Sequence, residues 1–369
     1  MDNGEPKINL PGVDSTVKPD MARGFNFELN GKQIGYYTIS NKGIKAAFTN
    51  FGARIVSLEV NGKSGKPVDV VLGMGTIRDY LKSTEPFYGA TIGRYCNRIA
   101  HAKFTLDDNV YVLETNNEAY CLHGGPDGFH TKVWDVVDQT PESITFHYSS
   151  PDMEAGFPGT LDVVVTYTLT DEQSLRIEFA ASTDRNTVVN LTNHAFFNLN
   201  GEGSGSILDH KVKIFANEIT PVDSNIVPTG KMMNVKGTPF DFTKFHTIGE
   251  RINEKNIQLK YGSGYDHNFV LNAGKSGRMV HAATAIGDKT GIQMDVYTTE
   301  PGMQFYAGNF MKGENKLKNG VMDDYRTAFC FETQHFPDSP NEPSFPATEL
   351  KVGEKYETKT IYKFSVNKK

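Results

Sequence analysis

Two short stretches hold the side chains best suited to moving protons. In "FCFETQHFPDSPNEPSFP" (329–346) a carboxylate, Glu332, sits between large apolar neighbours, and in "VVNLTNHAFFNL" (188–199) an imidazole, His194, sits among amides. A positioned carboxylate is a candidate general base, and histidine is the side chain whose ordinary pKa lets it serve as an acid near neutrality. Four further segments carry polar groups suited to a polyhydroxylated ligand. "IGRYCNRIA" brings Asn97 and Arg98 together, "CLHGGPDGF" places His123 before paired glycines, "GYDHNFVL" carries Asp266, and "EPGMQFYAGNF" carries Gln304 just past a Pro-Gly turn. A planar guanidinium fork suits hydroxyls or anions, and equally a surface ion pair.

These residues must be held by strands. Alternate residues of an extended chain share a face, so in 328–334 one side carries Phe329, Phe331 and Thr333 and the other Ala328, Cys330, Glu332 and Gln334. The phenylalanines can enter a core while Glu332 points into a second space or into solvent. In 189–199 Val189, Leu191, Ala195, Phe197 and Leu199 share one face, and Asn190, Thr192, His194, Phe196 and Asn198 the other. A polar row so dense is either the lining of a cleft or a set of mutually satisfied amides. Elsewhere short alternating runs such as "LDVVVTYTLT", "SLRIEFAAST" and "IQMDVYTT" recur between turn residues, punctuated by 35 glycines and 17 prolines. Only "TIRDYLKS" and "TIGERINEK" read as helical turns. The expectation is an all-β fold, a large antiparallel β-sandwich with few short helices, in which 1–24 form a flexible polar leader and 25–369 a single domain.

Composition removes several classes of function. Lys and Arg number 38 against 44 Asp and Glu, a net charge of −6, which offers no basic footprint for nucleic acid or for anionic membranes. No run approaches the roughly 18 apolar residues of a membrane helix. Cys96, Cys121 and Cys330 are odd in number and far apart, as free thiols in a reducing, cytoplasmic setting would be. Glycine spacings of phosphate and dinucleotide loops are missing. So are the CxxC, HxxxH and HExxH spacings of common zinc sites, so neither nucleotide chemistry nor a metal is expected.

Taken in order, "GATIGRYCNRIA", "LHGGPDGFHTKVW", "NLTNHAFFNL", "GYDHNFVL", "PGMQFYAGNF" and "ETQHFPDSPN" resemble the blocks of the aldose 1-epimerase (galactose mutarotase) family. The resemblance spans most of the chain, from "TNFGARIVSLEV" onward. It implies a large antiparallel β-sandwich, no cofactor and no metal. It also implies Glu332 as the base that takes the anomeric proton and His194 as the acid that protonates the ring oxygen. His123 would stand beside the ring oxygen, Asn97 and Arg98 would bind hydroxyls, and Asp266 would hold others with Gln304 nearby. Arg94 belongs to the motif but not to the contact set. The chain departs from the family at Phe196, where tyrosine is common, and at Cys96, where a small apolar residue is usual.

Such a reaction needs two proton-transfer groups and nothing else: open the ring to the aldehyde, rotate about C1–C2, and close on the other face. Ordinary pKa values of about 6.5 for histidine and 4.3 for glutamate give an acid and a base of the required kind. The expected partner is a neutral sugar bound by a monomer or homodimer. Two alternatives share the scaffold, a hexose-6-phosphate 1-epimerase and a catalytically silent sugar-binding or regulatory module. A glycosidase is disfavoured, because Glu332 has no carboxylate twin beyond Asp266.

Overall fold

A computed structural model describes residues 19–116, 119–272 and 277–367. Strands dominate it, as the alternating runs require. Nine of them form one antiparallel sheet in the order Asp135–Gln139, Ser143–Ser150, Leu161–Thr170, Ser174–Thr183, Tyr356–Val366, Ile292–Thr298, Val280–Ile286, Lys211–Ile214 and His246–Thr247. Five more run in the order Met233–Asn234, Ala216–Ile219, Asp266–Leu271, Gly302–Tyr306 and Cys330–Gln334. A four-stranded sheet of Tyr36–Asn41, Ile44–Thr49, Arg54–Asn61 and Pro67–Asp69 completes the main layers.

The large and the five-stranded sheets share one apolar core. Val163, Val165, Ile177, Val296 and Tyr362 of the former pack in the same cluster as Phe269, Met303, Phe305 and Phe331 of the latter. Polar contacts pin the layers as well. The Tyr362 hydroxyl donates to the Phe331 carbonyl at 2.9 Å, and the Thr333 and Thr360 hydroxyls meet at 2.5 Å. Phe305 stands at the centre of an aromatic group, with ring centroids 5.3 Å from Tyr265, 5.6 Å from Phe242 and 5.3 Å from Phe331.

Helices are short. "TIRDYLKS" does form one at Ile77–Lys82, where the Thr76 hydroxyl caps the Asp79 N–H at 3.2 Å. "TIGERINEK" gives only a 3₁₀ turn at Ile248–Glu250, and the neighbouring α-helix falls later, at Ile257–Gly262, capped by the Asn256 side chain. Gly249 inside the first stretch lowers its helix propensity, and the cap sits beyond its end. A helix at Pro19–Phe25 overlaps the stretch read as a leader, and Met21 packs against the second apolar cluster. Residues 1–18 of that leader lie outside the described residues.

Truncating the central aromatic tests this packing. Phe305→Ala should reduce the unfolding free energy by about 3–5 kcal/mol, measured by urea titration. A loss under roughly 1 kcal/mol would contradict the shared core.

Candidate active site

Period-two alternation gives the five-stranded sheet two buried faces of different chemistry. One face is the aromatic core just described. On the other, register sets Asn268, Gln304 and Glu332 side by side across three strands, with Asp266, Tyr306 and Cys330 in the adjacent row. Glu332 is 2% exposed, so the solvent-facing reading of this acid fails. Phe329 and Phe331 enter the main core while Ala328 and Cys330 join the second cluster, the division expected from the sequence.

Above this face the 189–199 segment departs from the expected strand. Only Thr192–Asn193 is extended in a ladder, pairing with Thr91–Ile92. Its polar row is also not a cleft lining. Asn190 Nδ2 donates to the His335 carbonyl at 3.1 Å while its Oδ1 accepts from the His335 N–H at 2.9 Å. Thr192 Oγ1 donates to the Thr333 carbonyl at 2.8 Å, and Asn198 Nδ2 to the Thr327 carbonyl at 2.9 Å. These side chains are rungs to an antiparallel neighbour, which satisfies buried amides within the fold. His194 is the row's exception: its Nε2 lies 3.5 Å from Glu332 Oε2.

The seven residues singled out by sequence form one closed ring of contacts. Gln304 lies opposite Glu332 and donates to Asp266 at 2.6 Å. Asp266 accepts from Arg98 at 3.3 Å, and Arg98 also reaches Asn97 Oδ1 at 3.3 Å. The Asn97 N–H donates to His123 Nδ1 at 3.1 Å, and the His123 and His194 rings lie 5.0 Å apart. Arg98 Nε, Gln304 Oε1 and Glu332 Oε2 are buried without a hydrogen-bond partner. Unmet buried donors and acceptors are costly, about 1–3 kcal/mol each, and a polyhydroxylated ligand supplies both kinds of partner.

Backbone geometry sets His123. Asn97 and His123 both adopt left-handed conformations, with φ of 61° and 53°. A Cβ at the following Gly124 would lie 2.0 Å from the Gly93 carbonyl oxygen, so the paired glycines serve a close backbone approach inside the protein. Because Nδ1 accepts the Asn97 N–H, the proton of the neutral imidazole sits on Nε2, which is therefore a donor. Arg94 is engaged elsewhere, bonding the Ser150, Pro151, Pro158 and Gly159 carbonyls and Ser150 Oγ.

Sequence reasoning missed Phe87 and Arg54. Phe87 lies 4.6, 4.8 and 5.7 Å from the rings of His123, His130 and His194. Buried Arg54 donates to the carbonyls of Phe51, Pro86, Tyr88 and His130, fixing the backbone on both sides of Phe87. Neither has a motif; "FGAR" and "PFYG" read as ordinary core. Phe196 is fully buried and stacks on His194 at 4.9 Å, so this departure from the family supports the imidazole. Cys96 is buried with its thiol 3.4 Å from Gln334 Oε1, and Cys330 Sγ lies 3.7 Å from His194 Nδ1.

Burial dominates the electrostatics. It pushes the Glu332 carboxyl well above the usual carboxylate range, reinforced by Asp266 and opposed by Arg98. It lowers His194 to about 4, against a bond from its own backbone and the pull of Asp266. His123 is driven well below the ordinary imidazole value by burial and by His194, Arg98 and His130. Both members of the Glu332–His194 pair thus resist charge, which favours a neutral carboxyl and a neutral imidazole with one proton between them over the ion pair. Donor atoms of His123, His194 and Glu332 come within 4.8 Å of one another, a grouping that linear spacing could not reveal. A metal at Nε2 of His123 would have to displace the proton that Asn97 places there.

The sequence model of the family described as aldose 1-epimerase matches residues 35–363. Galactose mutarotase of Bos taurus is 41% identical over 338 residues, covering 92% of this chain and 96% of that protein. Aldose 1-epimerase of Escherichia coli K12 is 36% identical over 327 residues, covering 88% and 93%. Among solved structures, an aldose epimerase homologue from C. elegans superposes with a TM-score of 0.83 at 32% identity, covering 90% of this chain and 99% of that one. With its β-rich layers and this extent of identity, the chain belongs to the aldose 1-epimerase family, isomerases that interconvert the anomers of sugars.

Proposed function

We propose that Glu332 and His194 are the base and acid by which this aldose 1-epimerase interconverts the α and β anomers of a neutral hexose such as galactose or glucose. The observation that carries the assignment is their 3.5 Å approach in a buried site ringed by hydroxyl-binding groups. A shift of the shared proton from Glu332 to His194 makes a carboxylate and an imidazolium without changing the pair's net charge. Glu332 then removes the proton from the C1 hydroxyl as His194 donates to the ring oxygen, and the C–O bond opens to the aldehyde. After rotation about C1–C2, Glu332 returns its proton to the C1 oxygen, His194 takes one from the C5 hydroxyl, and the ring closes. His123, a donor through Nε2, suits the ring oxygen; Asn97, Arg98, Asp266 and Gln304 suit the remaining hydroxyls.

The 6-phosphate reading has less support. Arg98 is already engaged by Asp266 and Asn97, and a phosphate calls for a concentrated cationic pocket. All seven residues come from one chain, so a monomer suffices. Free buried thiols at Cys96, Cys121 and Cys330 fit a cytoplasmic location.

Polarimetry of freshly dissolved α-D-glucose and α-D-galactose tests the assignment. Glu332→Gln and His194→Asn should each lower kcat by roughly 10²–10⁴-fold, with the double variant far from multiplicative. Undiminished turnover in either single variant would sink it.

The pKa shifts also set a pH profile. Below about 4 the pair gains a second proton and loses its base. Only well above the carboxylate range does it lose its single proton and its acid. The acid limb of kcat/KM should therefore lie near pH 4, and its alkaline limb should be set by the raised Glu332 carboxyl and not by an imidazole near about 6.5. Two independent groups with ordinary values would instead lose activity as pH rises through about 6.5; a fall of that kind contradicts the one-proton pair.

A further inference from the structure

Beyond the reacting groups, a second acid–base pair closes a circuit around the end of the catalytic strand. Glu300 is 1% exposed, and its Oε2 lies 2.6 Å from His335 Nδ1. Glu300 Oε1 accepts from the Tyr356 hydroxyl at 3.3 Å, and that hydroxyl accepts the Leu191 N–H at 3.0 Å. Next to Leu191, the Asn190 side chain grips the His335 backbone from both sides, at 3.1 and 2.9 Å. The chain of contacts thus leaves residue 335 through its imidazole and returns to it through its backbone. Along the way it ties the segment of His194 to the strand of Glu332. His335 faces a separate cavity of about 480 Å³, lined also by Thr299, Pro301, Phe345 and Glu357. His335 is the only cation paired with Glu300 among the described residues.

We propose that the His335–Glu300 ion pair is a positioning device for the proposed reaction, holding the two segments in the alignment that fixes the gap between His194 and Glu332. The proposal rests on the acid–base reading of those two residues. His335 lies three positions beyond Glu332, one residue past the end of its strand, and His194 lies three beyond Leu191, so slippage at the circuit reaches both groups. Among the described residues no hydrogen bond or ion pair joins the circuit directly to a group assigned to hydroxyl binding, and its nearest link is the Asn190 carbonyl, which accepts the N–H of Cys96 beside Asn97. Loss of the circuit should therefore act on the chemical step more than on affinity, since misplacement by about 1 Å can cost 10²-fold in rate. Simple stabilisation by a buried ion pair would leave kcat of the folded enzyme intact.

Three variants test this. Glu300→Gln and His335→Gln each leave one charge unpaired, and kcat should fall roughly 10- to 100-fold with KM within about twofold. Combining the two gives a neutral pair able to hydrogen bond, which should restore most of kcat. Tyr356→Phe removes only the hydroxyl link and keeps the ring; it should cost several-fold in kcat at unchanged KM even if the charge variants fold poorly. Crystal structures of Glu300→Gln and Tyr356→Phe should show the His194 to Glu332 separation widened from 3.5 Å. A lowered melting temperature with unchanged kcat and an unchanged gap overturns the proposal. Failure of the acid–base reading would look different: Glu332→Gln in an otherwise unaltered enzyme would retain full turnover. The gap still reports on the circuit in that case.

Discussion

The spacing of His194 and Glu332 depends on one backbone bridge and the side-chain rungs that continue it between two segments. The 190–198 stretch lies between two neighbours. On one side its backbone is used: the His194 N–H donates to Ala90, the Gly89 N–H to His194, and the Asn190 N–H to Arg94. On the other side Phe197 and Phe329 exchange backbone hydrogen bonds at 2.7 and 2.9 Å, and the remaining rungs to 327–335 come from the side chains of Asn190, Thr192 and Asn198. His194 lies between the Thr192 rung and the Phe197–Phe329 bridge, with its Nε2 turned to Glu332. Gly89 sits at the closest approach, where a Cβ would lie 1.9 Å from the Ile55 carbonyl oxygen, so the first neighbour is itself pressed against the four-stranded sheet.

Much of this could be read from residues alone. Period two correctly divided Phe329 and Phe331 from Cys330 and Glu332, because a strand buried on both faces must still alternate. It also divided Leu191 and Phe197 from Phe196, although that segment is mostly irregular. The purpose of the polar row was not legible. An asparagine satisfied by a backbone 145 residues away looks the same in sequence as one lining a cleft. Arg54 and Phe87 were hidden for a related reason: their contribution lies in carbonyls and ring faces supplied by other segments, and neither leaves a spacing to count. The misplaced helix at 247–255 shows the limit of reading short elements, where a single cap residue, Asn256, outweighs a weak amphipathic pattern.

Aromatic packing gives the site its low polarity. Phe87 and Phe196 both lie nearly parallel to the His194 ring, with interplanar angles of 27° and 28°. Excluding water from the imidazole and the carboxyl alike pushes their pKa values in opposite directions. The ordinary preference for carboxylate and imidazolium is thereby reversed in favour of the neutral pair.

Three imidazoles, those of His123, His130 and His194, are buried around Phe87. His130 is lowered to about 3 by burial and then by Arg54, whose guanidinium bonds the His130 carbonyl and has no carboxylate partner among the described residues. His123 is held neutral by burial and by the charges that would accompany it, with Arg98 among them. Burial lowers Arg54 itself to about 10, which still leaves it cationic near neutrality. Burial is the larger cause in both cases and the two arginines add to it, so His130 and His123 are disfavoured as sites for a proton, which leaves His194 and Glu332 as the pair proposed to exchange one.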